Sequence, residues 1–165
     1  MPVRIISLGG SFEKSYAEGA GIENYSFPLE SHSTRIVRRF CFNPPSVVYS
    51  PMNARDSIHT TDEDRERVAH TIQSALEKRF VIIHGTDTMT KTAEVICSRC
   101  PGKVVMMTGA ALPATDRESD AEFNLGGAII AAKICTPGVY IVMNGEIYPF
   151  DKCRKNPKSG KFEPA

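Results

Sequence analysis

The segment HGTDTM, residues 84–89, places two threonine hydroxyls and a carboxylate directly after the apolar run FVII. A turn between a strand and a helix needs only the glycine and one capping side chain. A hydroxyl is a weak nucleophile at neutral pH, so it needs a base or a lysine that its surroundings have partly deprotonated. Lys155, paired with Asp87, could relay the proton from Thr86. These residue types indicate nucleophilic acyl transfer without a Ser-His-Asp triad.

Small and polar residues also follow the other apolar runs. They are Gly9, Gly10 and Ser11, then Asp56 and Ser57, then Gly109 and Ala110, and finally Gly145 and Glu146. Parallel strands end at one edge of a sheet, where α/β proteins bind ligands. We therefore expect a small site there, with an oxyanion held by backbone N–H groups near Gly10 or Ala110. Asp56, Ser57 and Asp87 suit the ammonium and carboxylate groups of an amino-acid substrate.

Each of these residues also has a purely structural interpretation. The glycines can form a plain turn, Asp56 can cap a helix, and Thr88 can cap the helix that follows HGTDTM. His84, at a strand end, is interpreted as hydrogen-bonding support behind the turn. The repetition of such residues at successive strand ends is what favours a site over a set of unrelated turns.

Helical patterns alternate with the apolar runs. The predicted strands are residues 3–8, 46–50, 80–84, 103–108 and 139–144, with a possible further strand at 35–40, and the predicted helices are 60–78, 90–99 and 121–134. Thr60 and Glu63 form a capping-box pattern at the start of the first of these helices. The apolar face of that helix is Val68, Ala69, Ile72, Ala75 and Leu76.

The predicted strands are continuous apolar runs, which is typical of a parallel sheet covered on both faces. We predict one α/β domain over residues 1–165, doubly wound, with a mostly parallel sheet and helices on both faces. Residues 12–34 are expected to form a hairpin or a mobile loop at the active site. The polar tail from residue 153 is expected to be a loop.

Composition excludes several classes of function. The net charge of +1 gives no electrostatic reason to bind nucleic acid or an anionic membrane. No apolar run is long enough to span a bilayer, and the first residues lack the features of a secretory signal. The five cysteines do not form a disulfide pattern, and Cys97 and Cys100 end a helix, where a redox pair gains no reactivity. We expect a cytoplasmic protein with no metal and no cofactor.

The same residues resemble the motifs of bacterial-type L-asparaginases. LGGSFEKSY (8–16) is similar to the first motif of that family, with Ser11 in place of a threonine nucleophile. HGTDTM matches the second motif without change. RDSIHTTDED (55–64), TGAALPATDRESDAEFNLGGAIIAA (108–132) and GVYIVMNGEIYPFDKCRKN (138–156) resemble three further segments in the same order. The chain therefore resembles the amino-terminal domain of that family, and the short forms that end soon after the lysine motif.

The resemblance implies hydrolysis of L-asparagine to aspartate and ammonia, often with some activity on L-glutamine, without a cofactor. Ser11 would be the nucleophile and Tyr16 its activator, with Tyr25 as a rival for that role. Thr86, Asp87 and Lys155 would relay the proton, and Gly10, Asp56, Ser57, Asp87 and Ala110 would bind substrate. Whether Ser11 or Thr86 attacks first stays open. We expect a homo-oligomer, dimer or tetramer, because the family's carboxy-terminal domain is absent and the site would be open on one side.

Departures from the family pattern leave two alternative functions open. Ser11 lacks the β-methyl group that restricts the side-chain torsion of threonine, so the nucleophile is less well positioned. Leu112 replaces an arginine of the family, a change that nothing in the sequence explains. One alternative is a non-catalytic domain that binds or senses asparagine or aspartate. The other is an amidotransferase subunit that supplies ammonia to a partner.

Overall fold

The fold is built around one six-stranded sheet, seen in a computed structural model that describes residues 2–17, 23–50 and 52–165. In chain order the strands are β1 (Val3–Ser7), β2 (Ser15–Tyr16), β3 (Tyr25–Ser26), β4 (Ser46–Tyr49), β5 (Arg79–Ile83), β6 (Val104–Thr108), β7 (Gly138–Met143), β8 (Glu146–Pro149), β9 (Cys153–Lys155) and β10 (Phe162–Pro164). The helices are α1 (His32–Phe40), α2 (Asp62–Ser74), α3 (Met89–Arg99) and α4 (Ala121–Ile134), with single 3-10 turns at Ser11–Glu13, Ser57–His59 and Phe150–Lys152.

The sheet runs in the order β4-β1-β5-β6-β7-β8. All neighbours are parallel except β8, which pairs antiparallel with β7 and extends that edge. The central strands are buried along almost their whole length, which is why their sequences are continuous apolar runs rather than alternating ones. The mostly parallel sheet predicted from those runs is confirmed.

Helices cover both faces of the sheet. On one face α2 and α3 pack with the strands around Ile72, Phe80 and Ile96. On the other face α1 and α4 pack around Val37, Val81 and Leu125. The doubly wound α/β architecture is therefore confirmed. No helix among residues 2–17, 23–50 and 52–165 is long and apolar enough to cross a membrane.

The strand order reverses beside β1. The chain goes from β1 outward to β4 on one side and then returns to β5 on the other side. The carboxyl edge of the sheet beside such a reversal is where open α/β sheets bind ligands. Residues 9–14 and 84–88 follow β1 and β5 at this edge, so the topology puts Ser11 and Thr86 on neighbouring loops.

The strand predicted at residues 35–40 is wrong, because this segment belongs to α1. The Ser31 side chain accepts a hydrogen bond from Thr34 N and caps the helix. Ser33 and Val37, four residues apart, are both buried, whereas Arg38 and Arg39 are exposed. The β-branched pair Ile36 and Val37 suggests a strand in isolation, and the cap and the helical spacing of the buried residues override it.

Helix α2 begins later and ends earlier than predicted. The capping box is formed by Thr61 and Asp64, one residue beyond the predicted Thr60 and Glu63 pair. Because both residues of each pair can make this motif, the sequence alone does not distinguish the two registers. The helix ends at Ser74, so Leu76 is 95% exposed and is not part of the apolar face.

Two segments expected to be irregular contain small hairpins. Strands β9 and β10 pair antiparallel in the tail that was predicted to be a loop, which is a correction. Within residues 12–34, β2 and β3 form a two-residue antiparallel ladder, in agreement with the hairpin alternative. The rest of that connection, residues 18–22, lies outside the described residues, and its mobility stays a prediction.

Candidate active site

Lys155 contacts both polar residues of the HGTDTM turn. Its Nζ donates to Thr86 Oγ1 at 2.7 Å and to Asp87 Oδ1 at 2.5 Å. Lys155 is the last residue of β9, and the 3-10 turn that precedes β9 packs against α3. The tail hairpin thus carries the lysine to the amino end of the helix that HGTDTM begins. The contact predicted from the sequence is present, whereas the roles of the three residues remain predictions.

Four glycines allow the loops at this edge to pack backbone against backbone. A Cβ atom on Gly10 would lie 2.5 Å from Gly85 N, and one on Gly85 would lie 2.6 Å from the Ser57 side chain. An equivalent atom on Gly9 would lie 2.6 Å from Arg55 N, and one on Gly109 would collide with His84 O. Because carbon atoms do not approach this closely, only glycine fits. The predicted substrate residues Gly10 and Ser57 are therefore both in contact with the turn that carries Thr86.

Ser57 fixes the third loop against the HGTDTM turn. Its hydroxyl accepts a hydrogen bond from Asp87 N at 3.2 Å, and its carbonyl accepts one from Thr88 Oγ1 at 2.8 Å. Thr88 occupies the N-cap position of α3, as predicted, but its side chain makes no cap hydrogen bond and contacts Ser57 instead. The side-chain part of that prediction is wrong, because the Thr88 hydroxyl donates to the Ser57 carbonyl and does not accept from a helix N–H group.

Asp56 is already paired with a cation. Lys14 Nζ lies 2.5 Å from Asp56 Oδ2, and the Lys14 side chain is only 9% exposed. Burial by itself raises the pKa of Asp56, but the hydrogen bond and positive charge of Lys14 outweigh it, so the pKa lies below its usual value. Asp56 also accepts from Ile58 N and starts the turn that presents Ser57. Its carboxylate is thus held by Lys14 of the loop that follows β1.

Ser11 begins the 3-10 turn at the end of the β1 loop and is half-buried. The hairpin that follows places both candidate tyrosines side by side, because Tyr16 is the register partner of Tyr25. Their rings meet edge to face, with centroids 6.3 Å apart. Lys14 Nζ lies 4.0 Å from the centre of the Tyr25 ring, a cation–π distance. The choice between the two tyrosines therefore stays open.

His84 has the surroundings of a structural residue. It is 1% exposed, its Nδ1 lies 2.7 Å from Gly85 O, and its Nε2 lies 2.8 Å from Thr92 Oγ1. Since a carbonyl can only accept, Nδ1 donates and Nε2 accepts from the threonine hydroxyl. Burial lowers the pKa of His84 to about 4, so the ring is neutral at pH 7. Both nitrogens are occupied, which agrees with the structural interpretation.

Ala110, the last predicted substrate residue, is buried and belongs to the apolar cluster on the face of the sheet that α1 and α4 cover. The loop around it is tied to α4, because Asn124 Nδ2 donates to Gly109 O at 3.0 Å. Asn124 Oδ1 also accepts from Asn144 N, so this side chain joins the ends of β6 and β7. The structure thus places Ala110 at the same edge as the other candidates.

Sequence reasoning missed a buried polar cluster behind Ser11. Glu13 is fully buried and its carboxyl group accepts from Ser7 Oγ, Ser31 Oγ and Ser33 Oγ. It also accepts from His32 N at 2.6 Å, so it sits at the amino end of α1. Lys14 was missed as well. Both residues stand in a segment that looks solvent-exposed, and their partners come from distant segments, so no local pattern marks them.

Among residues 2–17, 23–50 and 52–165, no three metal-binding side chains come together. The arrangement is a hydroxyl-rich site with one lysine-carboxylate pair beside Thr86, a second beside the Ser57 turn, and backbone amides packed around glycines. Such a set can hold a small polar substrate and deliver a hydroxyl to it.

Comparison with known proteins identifies the family to which this chain belongs. The chain matches the family described as "Asparaginase, N-terminal" over residues 3–161. It belongs to the asparaginase family, and the resemblance drawn from HGTDTM and its companions is confirmed.

Individual relatives give the extent of the similarity. An L-asparaginase from Dirofilaria immitis is 32% identical over 153 residues, which cover 88% of this chain and 25% of that protein. A glutamyl-tRNA(Gln) amidotransferase subunit from Methanococcus vannielii is 39% identical over 83 residues, covering 50% of this chain and 19% of that protein. The solved thermostable L-asparaginase from Thermococcus kodakarensis has the same fold, with a TM-score of 0.82 at 22% identity, over 99% of this chain and 51% of that one. The chain thus spans about half of that structure and a quarter or less of the two relatives.

Proposed function

We propose that this chain hydrolyses L-asparagine to L-aspartate and ammonia. The observation that carries the proposal is the contact of Lys155 Nζ with Thr86 Oγ1 and Asp87 Oδ1, in a chain of the asparaginase family. L-Asparaginases from other organisms, among them the Dirofilaria protein, share its sequence pattern. The side chains that meet here are a hydroxyl, a base and a carboxylate, which amide hydrolysis by a covalent route requires.

In the proposed reaction a hydroxyl oxygen attacks the side-chain amide carbon of asparagine. The attacking hydroxyl loses its proton, the C–N bond breaks, and the amide nitrogen gains that proton and leaves as ammonia. Water then hydrolyses the ester and restores the hydroxyl. The amine form of Lys155 accepts the proton from Thr86, and Asp87 stabilises the ammonium that results. Ser11, on the neighbouring loop after β1, is the second candidate nucleophile, activated by Tyr16 or Tyr25.

The pairing of Asp56 with Lys14 supports a specific division of substrate contacts. Both carboxylates are paired with a lysine at 2.5 Å, but the Asp87 side chain is 52% exposed and that of Asp56 only 22%, so Asp87 is the more accessible to the substrate ammonium. The Asp56 turn instead presents Ser57 and the backbone amides near Gly10, which can accept a carboxylate or an oxyanion. Asp56 then acts mainly by positioning Ser57.

An ammonia assay with asparagine and glutamine side by side tests the proposal. Thr86→Ala and Lys155→Ala should each lower kcat/KM by about a hundredfold or more, the scale of lost acid–base catalysis. Lys155→Arg keeps the positive charge beside Asp87 but cannot act as a base, so it should be as inactive as Lys155→Ala. Lys158→Ala removes an exposed lysine from the same hairpin and should leave activity unchanged.

The result can also reject the mechanism or the function. Activity retained in both Thr86→Ala and Lys155→Ala would exclude the relay. Calorimetric binding of asparagine or aspartate without any ammonia release by the unaltered protein would favour the alternative of a binding or sensing domain.

A second candidate is an ammonia-supplying amidotransferase subunit, favoured by the similarity to the amidotransferase subunit from Methanococcus vannielii. In that case glutamine should be a better substrate than asparagine. The rate of glutamine hydrolysis should also be higher with a co-purified partner protein than without it. Equal or greater activity of the isolated chain on asparagine would argue against it. We also propose a cytoplasmic location, supported by five cysteines that are all free.

A further inference from the structure

A cavity of about 150 Å³ lies beside β4, the edge strand of the sheet. Its apolar wall is formed by Ile6, Leu8, Val48 and Val68, which come from β1, the loop after it, β4 and α2. Val48 is partly exposed, so α2 does not cover the edge strand completely. The volume is smaller than the roughly 300–1,000 Å³ of pockets for drug-sized ligands. The cavity therefore fits a molecule about the size of an amino acid.

Two arginines and one carboxylate line the polar side of this cavity. Arg55 Nε lies 3.1 Å from Asp64 Oδ2, and Arg67 Nη1 lies 3.2 Å from Asp64 Oδ1. Burial raises the pKa of Asp64, but the hydrogen bonds from Thr61 and the two guanidinium charges outweigh it, so the pKa lies below its usual value and the group is ionised. Two positive charges therefore share one negative charge, and the cavity has a surplus of positive charge.

Each of the two guanidinium groups keeps hydrogen-bond donors for a ligand. A guanidinium group has five N–H donors, and in each arginine one nitrogen faces Asp64. The side chains of Arg55 and Arg67 are 42% and 53% exposed, so their other donors are accessible. Guanidinium groups bind carboxylates and phosphates through paired N–H donors. The polar side of the cavity is thus suited to an anion.

We propose that this cavity binds a small aliphatic carboxylate. The carboxylate group of the ligand lies on Arg55 and Arg67, and its hydrocarbon part packs against Ile6, Val48 and Val68. Other classes of ligand match the lining less well. Inorganic phosphate has no hydrocarbon part to cover the apolar wall, and a cation is repelled by the surplus positive charge. Asparagine and aspartate would place a polar side chain against the apolar wall, where it finds too few hydrogen-bond partners.

Arg55 connects the cavity with the candidate active site. Its N–H group donates to Leu8 O at 2.9 Å, and its carbonyl accepts from Gly10 N at 2.7 Å. The next residue is Asp56, which begins the turn that presents Ser57. A ligand that holds the Arg55 side chain therefore restrains the loop that carries two predicted substrate residues. Occupancy of the cavity should tighten substrate binding, and by linkage substrate should tighten binding of the carboxylate by the same factor.

A titration with isovalerate, followed by NMR of the methyl groups of the protein, tests the site. The methyl resonances of Val48 and Val68 should shift in a saturable manner. The neutral isovaleramide should bind at least about tenfold more weakly, because it cannot form charge-assisted hydrogen bonds as an anion. Arg67→Gln should raise the dissociation constant of isovalerate about tenfold or more for the same reason. Val48→Phe should prevent binding, because the larger side chain fills the cavity.

A matched control and two contrary results complete this test. Arg99→Gln removes an exposed, ion-paired arginine of α3 that does not line the cavity, and it should leave isovalerate binding unchanged. Circular dichroism checks that each variant is folded. Unshifted Val48 and Val68 resonances at saturating isovalerate would overturn the proposal. So would isovalerate binding that is equally strong in Arg67→Gln and Val48→Phe, or equal affinity for isovaleramide.

Ammonia assays with asparagine test the coupling, which rests on the proposed function, whereas binding in the cavity does not. Saturating isovalerate should lower KM at least about fivefold in the unaltered protein. It should have little effect in Arg67→Gln, whose activity without isovalerate should equal that of the unaltered protein. If the unaltered chain releases no ammonia, the proposed function fails, and the coupling is measured on the affinity for L-aspartate instead. Bound isovalerate that changes neither quantity would overturn the coupling.

Discussion

Individual residues at this site are held by partners that come from distant segments. Ser57 holds the amide of Asp87 across 30 positions of the sequence, and Lys14 holds Asp56 across 42. Lys155 reaches Thr86 across 69. Because these bonds replace water around polar groups, each side chain has one preferred position before substrate arrives. Such preorganisation is what a hydroxyl nucleophile needs, since its attack depends on alignment.

His84 should make stability fall in mildly acidic solution. Its pKa is about 4 in the folded chain and near 6.5 when unfolded, so below pH 6.5 the unfolded state binds more protons. The stabilisation is complete above pH 6.5 and is lost as pH falls toward 4, by up to roughly 3 kcal/mol. Urea unfolding between these pH values should show this loss in the unaltered protein, and a smaller one in His84→Gln.

The comparison between the two proteins isolates His84 from other groups. Burial also lowers the pKa of His32, so part of the pH dependence remains in the variant. If the free energy of unfolding falls equally with pH in the unaltered protein and in His84→Gln, His84 is not the source of the pH dependence.

At the residue scale, sequence patterns predicted the contacts that a short motif specifies. The hydroxyl and carboxylate of HGTDTM could be paired with Lys155, because few other residue types complete that chemistry. The buried bonds of Glu13 could not be predicted, because a glutamate near a glycine turn looks exposed and its three serine partners carry no local pattern. The pairing of Lys14 with Asp56 was missed for the same reason.

Among the secondary structure elements, the loops at the carboxyl edge depend on glycine for two separate reasons. Gly10 adopts φ of 70°, where other residues are strained, and its missing side chain also leaves room for Gly85. Gly160 has the same φ of 70°, but a methyl group added there would meet no described residue within 4 Å. The two residues therefore share the backbone cost of substitution and differ in packing.

Alanine at each position should separate these two costs. Gly160→Ala should lower the free energy of unfolding by roughly 1–2 kcal/mol, the cost of the left-handed conformation. Gly10→Ala should lose a further 1–3 kcal/mol or so through overpacking, because its methyl group would meet the Gly85 backbone. Denaturant titrations of both variants measure the difference. If both variants lose the same free energy of unfolding, the loops that carry Gly10 and Gly85 can move apart without an energetic cost.

Element boundaries were predicted best where an apolar or helical run is flanked by Gly, Pro or polar residues. Strands β1, β4, β5, β6 and β7 and helices α3 and α4 were all predicted to within one residue of their observed ranges. Helix α1 was mistaken for a strand, since its short sequence lies partly against the sheet and partly in solvent. The tail hairpin was missed, because only Cys153 and Phe162 among its strand residues are buried.

On the scale of the whole molecule, the sheet joins the two apolar clusters. Adjacent residues of one strand, such as Val81 and Ile82 of β5, point into opposite clusters. Neither cluster can come apart without exposing the strands that both share. We therefore propose that residues 1–165 act as one domain.

One cooperative unfolding transition should follow. Thermal unfolding followed by far-ultraviolet circular dichroism and by tyrosine fluorescence should give a single midpoint, because helices and aromatic residues belong to the same unit. Two separate transitions would instead show that the hairpin carrying Lys155 or one sheet face unfolds alone.

The place of Lys155 in the chain has a consequence during synthesis. All six strands of the central sheet are complete by Pro149, and Lys155 follows on a hairpin outside that sheet. The ribosome therefore delivers the whole scaffold, including Ser11, Ser57 and Thr86, before it delivers the lysine. A nascent chain can therefore complete the six strands of its sheet before it receives the residue that contacts Thr86 and Asp87.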